Sequence, residues 1–451
     1  MKHVLRNPDT TLTTLLYVFS MFIISIVNSE TVTVREDREV WDYVTVRPAA
    51  HMFYWHYDTI NSAGIKNVPY VLWLQGGPGG SSTGFGNFGE IGPLGVDLKP
   101  RNTTWLQYAS LLFIDNPVGT GYSYVDNDAA FTTDVNMIAN DLFTVLTAVM
   151  EKLPDFQSVP FYIFSESYGG KMTAAFSQVL YDGIQAGKIS CNFKGLAMGD
   201  SWISPIDSVL SWAPYLYTNS LVDLPGYKLV EAAAMKTKMY IEKGLFLNST
   251  AEWGATESIV EQVTNGVNFY NILEWGGSEK LNSIKSNQNL GSLEKLWRRH
   301  VGVYQAEDLA ALMNGPIREK LGIIPRNVTW GGQSGMVFTK QSGDFMKPVT
   351  DIVNNLIDKT PLSVVVYSGQ LDLIVDTLGT ETWVNHLNIA EEFHSASRKP
   401  ILNPLTDLTS GFVKKAKNFS FYWILDAGHM VPSDNGQTAV KMLRMITNQD
   451  N

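Results

Sequence analysis

The chain has 451 residues, with 34 lysines and arginines against 44 aspartates and glutamates, and a formal net charge of −10. At about 100–200 residues per domain, length alone allows three domains, although α/β enzymes often run longer as one. The negative balance excludes a general affinity for nucleic acid or for anionic membrane surfaces.

From the N-terminus, Lys2, His3 and Arg6 give a basic start, and an apolar run from Leu15 to Val27 follows, broken only by Ser20 and Ser25. With Val27-Asn28-Ser29 as a cleavage region, residues 1–29 read as a secretory signal peptide. The run is shorter than the ~20 apolar residues of a membrane span, and no later stretch is apolar enough, so no stable span is expected after signal removal. Four glycosylation acceptors fit a secretory route: Asn102-Thr103-Thr104, Asn248-Ser249-Thr250, Asn327-Val328-Thr329 and Asn418-Phe419-Ser420. Cys191 is the single cysteine, so no disulfide forms within the chain, and it reads as a buried hydrophobe.

Hairpin-like pieces over 31–60 predict antiparallel strands at one edge of a sheet. Short apolar runs then recur at Tyr70–Leu74, Leu111–Ile114, Phe161–Phe164, Leu196–Met198, Ser363–Tyr367 and Phe421–Leu425, most bounded by Gly, Asp, Asn or Pro. Such runs are strands buried on both faces. Helical patterns between them, Val135–Lys152 and Lys171–Gln185, make the class α/β with a mostly parallel sheet. From about Pro205 to Lys347 the rhythm turns helical, with patterns at Lys228–Lys243 and Thr256–Asn265 and a polar stretch over Lys280–Gln305. The organisation read is core over 30–204, helical cap over 205–347 and core again over 348–451.

The run Phe161-Tyr162-Ile163-Phe164-Ser165-Glu166-Ser167-Tyr168-Gly169-Gly170 carries the most chemical information. An aromatic strand stops at Ser167 and a helix follows, as in the turn on which α/β-hydrolases expose a nucleophile. Small residues are needed two places either side, and Ser165 and Gly169 supply them. In this fold the triad runs Ser, then Asp or Glu, then His. Of seven histidines, His429 in Ala427-Gly428-His429-Met430-Val431-Pro432 follows a strand and completes that order, while His300, His386 and His394 lie in polar or helical contexts. The orienting acid is Asp372, after Ser363–Tyr367. Asp376 is its rival, and the alternative role for either acid is a helix N-cap. Oxyanion donors are expected from the Tyr168 N–H and from a loop after an early strand. Gln75-Gly76-Gly77-Pro78-Gly79-Gly80-Ser81-Ser82 is that loop, and it lacks the Lys-Ser/Thr ending of a nucleotide-binding loop.

Together, Leu72–Ser82, Asp115-Asn116-Pro117-Val118-Gly119-Thr120-Gly121-Tyr122-Ser123, Glu166–Lys171 and Gly428–Pro432 resemble the serine carboxypeptidases. Gln75 and the run Gly199-Asp200-Ser201-Trp202-Ile203-Ser204-Pro205 are most similar to that family's retinoid-inducible branch. The resemblance implies an α/β-hydrolase core with a helical cap, removal of C-terminal residues from peptides at acid pH, and no cofactor or metal. It implies Ser167, Asp372 and His429 as the triad, and Gly77 and Tyr168 as oxyanion donors. It also implies Gln75, Glu90 and Glu166, supported by Trp73, as readers of the substrate α-carboxylate. Partners would be peptides with a free C-terminus, in the lysosome or outside the cell. Four residues depart from the family pattern: Ser165 for Gly, Gln75 for Asn, and Gly80 and Val375 for Cys. Two other readings stand beside this one: an esterase or acyltransferase on the same triad, and a secreted binding protein whose triad is vestigial.

Overall fold

The computed structural model describes residues 38–274 and 292–450. The signal-peptide expectation, and residues 280–291 of the polar stretch, lie outside them. The first two strands, β1 (Glu39–Arg47) and β2 (Ala50–Tyr57), form the expected edge hairpin. The apolar runs become β3 (Tyr70–Leu74), β4 (Ser110–Ile114), β6 (Pro160–Glu166), β7 (Asn192–Gly199), β8 (Ser363–Gly369) and β11 (Phe419–Ile424). A short β5 (Tyr124–Val125) pairs with β2. Two strands absent from the expectation, β9 (Arg398–Leu402) and β10 (Thr409–Ala416), complete one eleven-stranded sheet in the order β1-β2-β4-β3-β6-β7-β8-β11-β10-β9.

All pairings from β4 through β11 in that order are parallel, and those at both edges are antiparallel. Every residue of β3 is buried; Tyr70, Leu72 and Leu74 enter the core on one face, and Val71 and Trp73 the core on the other. That two-sided burial is why these strands lack polar alternation.

Helices α1 (Val135–Lys152) and α2 (Tyr168–Gln185) make the early crossovers. Asp134 caps α1 by accepting from the Asn136 and Met137 N–H groups. Between β7 and β8 the described residues form only helices. The longer ones are α3 (Pro205–Thr218), α4 (Leu224–Glu242), α5 (Phe246–Thr264), α6 (Ser292–His300), α7 (Ser334–Gln341) and α8 (Thr350–Lys359). After β8 come α9 (Thr377–Val384) and the closing α10 (Gly436–Ile446). The helical insert is tied to the core through α3: Trp212 Nε1 donates to the Ile374 carbonyl at 3.3 Å and the Tyr215 hydroxyl to the Gln370 carbonyl at 2.7 Å. Among the described residues no helix is long and apolar enough to cross a membrane.

Candidate active site

Parallel sheets present ligand sites at the carboxyl ends of their strands. Ser167 follows β6, Asp372 follows β8 and His429 follows β11, so the topology gathers all three at that edge. Ser167 has φ 62° and ψ −130°, a conformation costly for a residue with a side chain. The turn holds it there: Ser167 N–H donates to Gly199 at 3.0 Å, while its carbonyl accepts from Gly170 and Trp202 at 3.0 Å each. A Cβ on Gly169 would fall 2.4 Å from the Leu74 carbonyl oxygen, so that position admits no side chain. Ser165, in contrast, is accommodated: its hydroxyl donates to the Ala197 carbonyl at 3.4 Å on the neighbouring β7.

His429 Nδ1 lies 2.8 Å from Asp372 Oδ2, and neither side chain is exposed. His429 Nε2 is buried and hydrogen-bonds to no protein group. Burial lowers the imidazole pKa to about 4, because a charged ring would lose its hydration. The ring packs edge-on against Tyr270 at 5.0 Å, and its backbone N–H donates to the Tyr270 carbonyl at 2.7 Å. Asp376 sits elsewhere. It caps α9 by accepting from the Gly379 N–H at 3.1 Å and accepts the Ser211 hydroxyl at 2.6 Å.

The glycine loop leans on the elbow. A Cβ on Gly76 would lie 2.4 Å from Ser167 Cβ, and Gly77 has φ 113°, both open only to glycine. Asp115 clamps the loop from the run Asp115–Ser123. Its carboxyl, fully buried, accepts from the Ser81 hydroxyl at 2.7 Å, the Thr83 hydroxyl at 2.8 Å and N–H at 3.1 Å, and the Tyr122 N–H at 2.8 Å.

Beside Ser167 lies a buried polar chain. Trp73 Nε1 donates to Gln75 Oε1 at 2.7 Å, and Gln75 Nε2 to Glu166 Oε1 at 2.8 Å. Glu90, on the wide helical segment Ser82–Ile91, is their buried electrostatic neighbour, and neither of its carboxyl oxygens has a hydrogen-bond partner. Neither glutamate is exposed. Burial first, then mutual repulsion, holds Glu166 well above the usual carboxyl range, and burial pushes Glu90 up to about 8. The extra methylene of Gln75 therefore still permits contact with both neighbours.

Four neighbouring residues went unassigned in the sequence. Asp200, at the end of β7, is buried and takes the Gly369 N–H at 2.8 Å. Tyr270 touches the imidazole, and its hydroxyl meets His300 Nδ1 at 2.9 Å; His300 Nε2 in turn lies 2.8 Å from Glu257. Lys171, a surface helix residue by its polarity, is fully buried and pairs with Asp344 at 3.2 Å. Asp200 and Lys171 each lie in one of the motif runs, the only signal for them; for Tyr270 and Glu257 there was none. Of the glycosylation acceptors, Asn102, Asn248 and Asn327 are exposed. Asn418 is half-buried and its amide donates to the carbonyls of Ile357, Thr360 and Leu362 at 3.0–3.2 Å.

The fold defines an α/β-hydrolase, with a serine, a histidine–aspartate pair and a carboxyl pair gathered at the carboxyl edge of its sheet. Residues 30–449 match the serine carboxypeptidase family, and the chain belongs to it. It is 53% identical to the human retinoid-inducible serine carboxypeptidase over 92% of each chain, and 40% identical to serine carboxypeptidase-like 51 of Arabidopsis thaliana over 96% of this chain and 98% of that one. Among solved structures it is similar to KEX1(delta)P, a prohormone-processing carboxypeptidase from Saccharomyces cerevisiae. That likeness has a TM-score of 0.76 at 21% identity over 91% of both chains, and is one of fold. The activity is that of a serine-type carboxypeptidase, a hydrolase acting on peptides.

Proposed function

We propose that Ser167, His429 and Asp372 carry out the hydrolysis, and that Gln75, Glu90 and Glu166, with Trp73 behind them, bind the free C-terminus of the peptide. Ser167 Oγ attacks the carbonyl of the last peptide bond while His429 Nε2 takes its proton and Asp372 steadies Nδ1–H. The Gly77 and Tyr168 N–H groups stabilise the oxyanion. His429 then protonates the departing amino acid, and water, deprotonated by the same imidazole, releases the acyl group from Ser167.

The observation that carries this reading is the buried carboxyl pair beside the nucleophile, with Glu166 held by Gln75 at 2.8 Å and both oxygens of Glu90 left without a hydrogen-bond partner. A protonated carboxyl donates a hydrogen bond to the substrate carboxylate without the need for a cation. Two pKa values then bound the working range. His429 stays a neutral base down to about pH 4, and the carboxyl pair keeps its protons until about pH 8. As the pair ionises it repels the substrate, so KM rises from acid toward alkaline pH. An acidic compartment on the secretory route, lysosomal or extracellular, matches that range. Glycans on Asn102, Asn248 and Asn327 match it as well, while at Asn418 a glycan would compete with three backbone acceptors.

The test is digestion of peptides with free and amidated C-termini at mildly acid pH, with Ser167→Ala as control. The parent should release single C-terminal residues from the free peptides only, and the variant none. Equal cleavage of the amidated peptides would overturn carboxylate recognition.

A further inference from the structure

A second carboxyl pair lies behind the imidazole. Asp200 ends β7 with φ 40°, in the left-handed region, and its N–H donates to the Tyr367 carbonyl at 2.9 Å. Its Oδ1 accepts the Gly369 N–H at 2.8 Å. Its Oδ2 is buried and meets no donor. Its neighbour is Asp372: Gly369, which gives its N–H to Asp200, accepts the Asp372 N–H at 3.3 Å, and the two carboxyls interact directly. Both side chains are fully buried. The other titratable groups facing Asp200 are His429, Glu166 at the end of β6, Tyr215 of α3 and Tyr367 of β8. Among the described residues no lysine or arginine is recorded at this pair.

Two ionised carboxylates in contact in a dry pocket would repel and leave a bare oxygen unsolvated. One proton between them converts the repulsion into an O–H···O⁻ hydrogen bond, among the stronger kinds. Asp372 has to remain the anion, because it receives Nδ1–H from His429 at 2.8 Å. The proton therefore belongs on Asp200 Oδ2, the one oxygen of the pair with no other partner.

We propose that Asp200 is a neutral carboxylic acid that donates to Asp372, a positioning residue that fixes the orienting aspartate beside His429. The inference rests on the triad reading above. Burial raises both carboxyls of the pair, but contact with Asp372 raises Asp200 further while contact with Asp200 lowers Asp372, which agrees with the proton lying on Asp200. Asp200 thereby limits the alkaline end of activity: once its proton leaves, Asp372 faces a like charge and its hold on Nδ1 is disturbed.

The experiment follows phosphonylation of Ser167 by a fluorophosphonate as a function of pH, a reaction that needs the triad and no substrate carboxylate. Asp200→Asn keeps both hydrogen bonds, with its carbonyl on Gly369 N–H and its amide on Asp372, but cannot ionise. It should label within about threefold of the parent at mildly acid pH and about tenfold faster at the alkaline end, the change worth one unit of pKa. Its acid limb should not move. Asp200→Ala should label about tenfold or more slowly throughout, for want of a charge-assisted hydrogen bond; its folding is checked by thermal melting, and the Asn variant decides the matter if it does not fold. The infrared band of a protonated carboxyl should appear in the parent-minus-Asn difference. An acid limb displaced to lower pH in Asp200→Asn would overturn the proposal, since it would mean that an ionised Asp200 had been supporting the imidazolium. An unchanged alkaline limb would also overturn it. Failure of the parent itself to label would instead overturn the triad reading.

Discussion

Asp372 and Asp376 share a loop, an apolar setting and full burial, yet their hydrogen bonds assign them to different work. Asp372 meets the imidazole, and Asp376 meets the first turn of α9 and the Ser211 hydroxyl. Asp372→Ala should leave the fold intact and lower kcat by about 10⁴, the scale of disabling the orienting acid of a triad. Asp376→Ala should leave kcat near the parent value and cost about 1–2 kcal/mol of stability, the scale of losing an N-cap. Steady-state kinetics beside urea unfolding separates the two, and reversed outcomes would exchange the assignments. The sequence supported Asp372 through its place after β8, but could not dismiss its neighbour. The discriminating partner, Ser211, comes from α3 across a long separation in the chain, and no local pattern announces it. The same holds for Asp200, whose meaning depends on β7 and β8 lying side by side.

At the scale of elements, the apolar runs named β3, β4, β6, β7, β8 and β11 because strands buried on both faces have no alternation to hide. β9 at the edge, and β10 beside it, escaped because strands at the margin of a sheet face water and carry what the centre excludes. β9 reads Arg-Lys-Pro-Ile-Leu, and only Ile401 is buried. The wide helical segment Ser82–Ile91 escaped for a different reason. Its three glycines, Gly84, Gly86 and Gly89, with the adjoining Gly92, read as loop, whereas close packing demands glycine where Gly84 meets Trp330 and Gly86 meets Trp73. α2 shows what elements add to a motif. Its Lys171 is buried against Tyr168, with Nζ 5.4 Å from the ring, and reaches Asp344 and the Asp344 carbonyl from the helical insert. This pair anchors the first turn of the nucleophile helix. Lys171→Met should destabilise the protein by about 3 kcal/mol, the lower end for breaking a buried pair because Asp344 keeps Lys347 at 3.5 Å. It should lower kcat less than any change to Asp372. Unchanged urea unfolding would show that the pair is not an anchor.

The whole molecule is built with an excess of buried acids, and its stability should follow pH accordingly. Asp115, Asp200, Asp376, Glu90 and Glu166 are all fully buried, and burial is the largest cause raising each pKa. A carboxyl whose folded pKa is raised contributes stability that is complete below its unfolded pKa and is lost as pH rises through the folded one. For Glu90 that window runs from 4.5 to about 8, and for Asp376 from 3.8 to about 7. His429 works in the opposite sense. Its folded pKa is lowered, so its contribution is complete above 6.5 and lost as pH falls toward about 4. Five raised acids against that histidine place the stability maximum on the acid side of neutrality, where the carboxyl pair also keeps the protons that peptide binding requires. Thermal melting should therefore give a higher Tm at about pH 5 than at about pH 8. In Glu90→Gln, which removes one titrating group and keeps its shape, the difference should shrink by about 2 °C, what ~1 kcal/mol is worth in a large domain. The same variant should show a KM that rises less steeply with pH, because one of the two charges that repel the substrate carboxylate can no longer form. A Tm that climbs from acid to alkaline pH would mean that these carboxyls are ionised in the folded protein, and the acid preference would then need another cause.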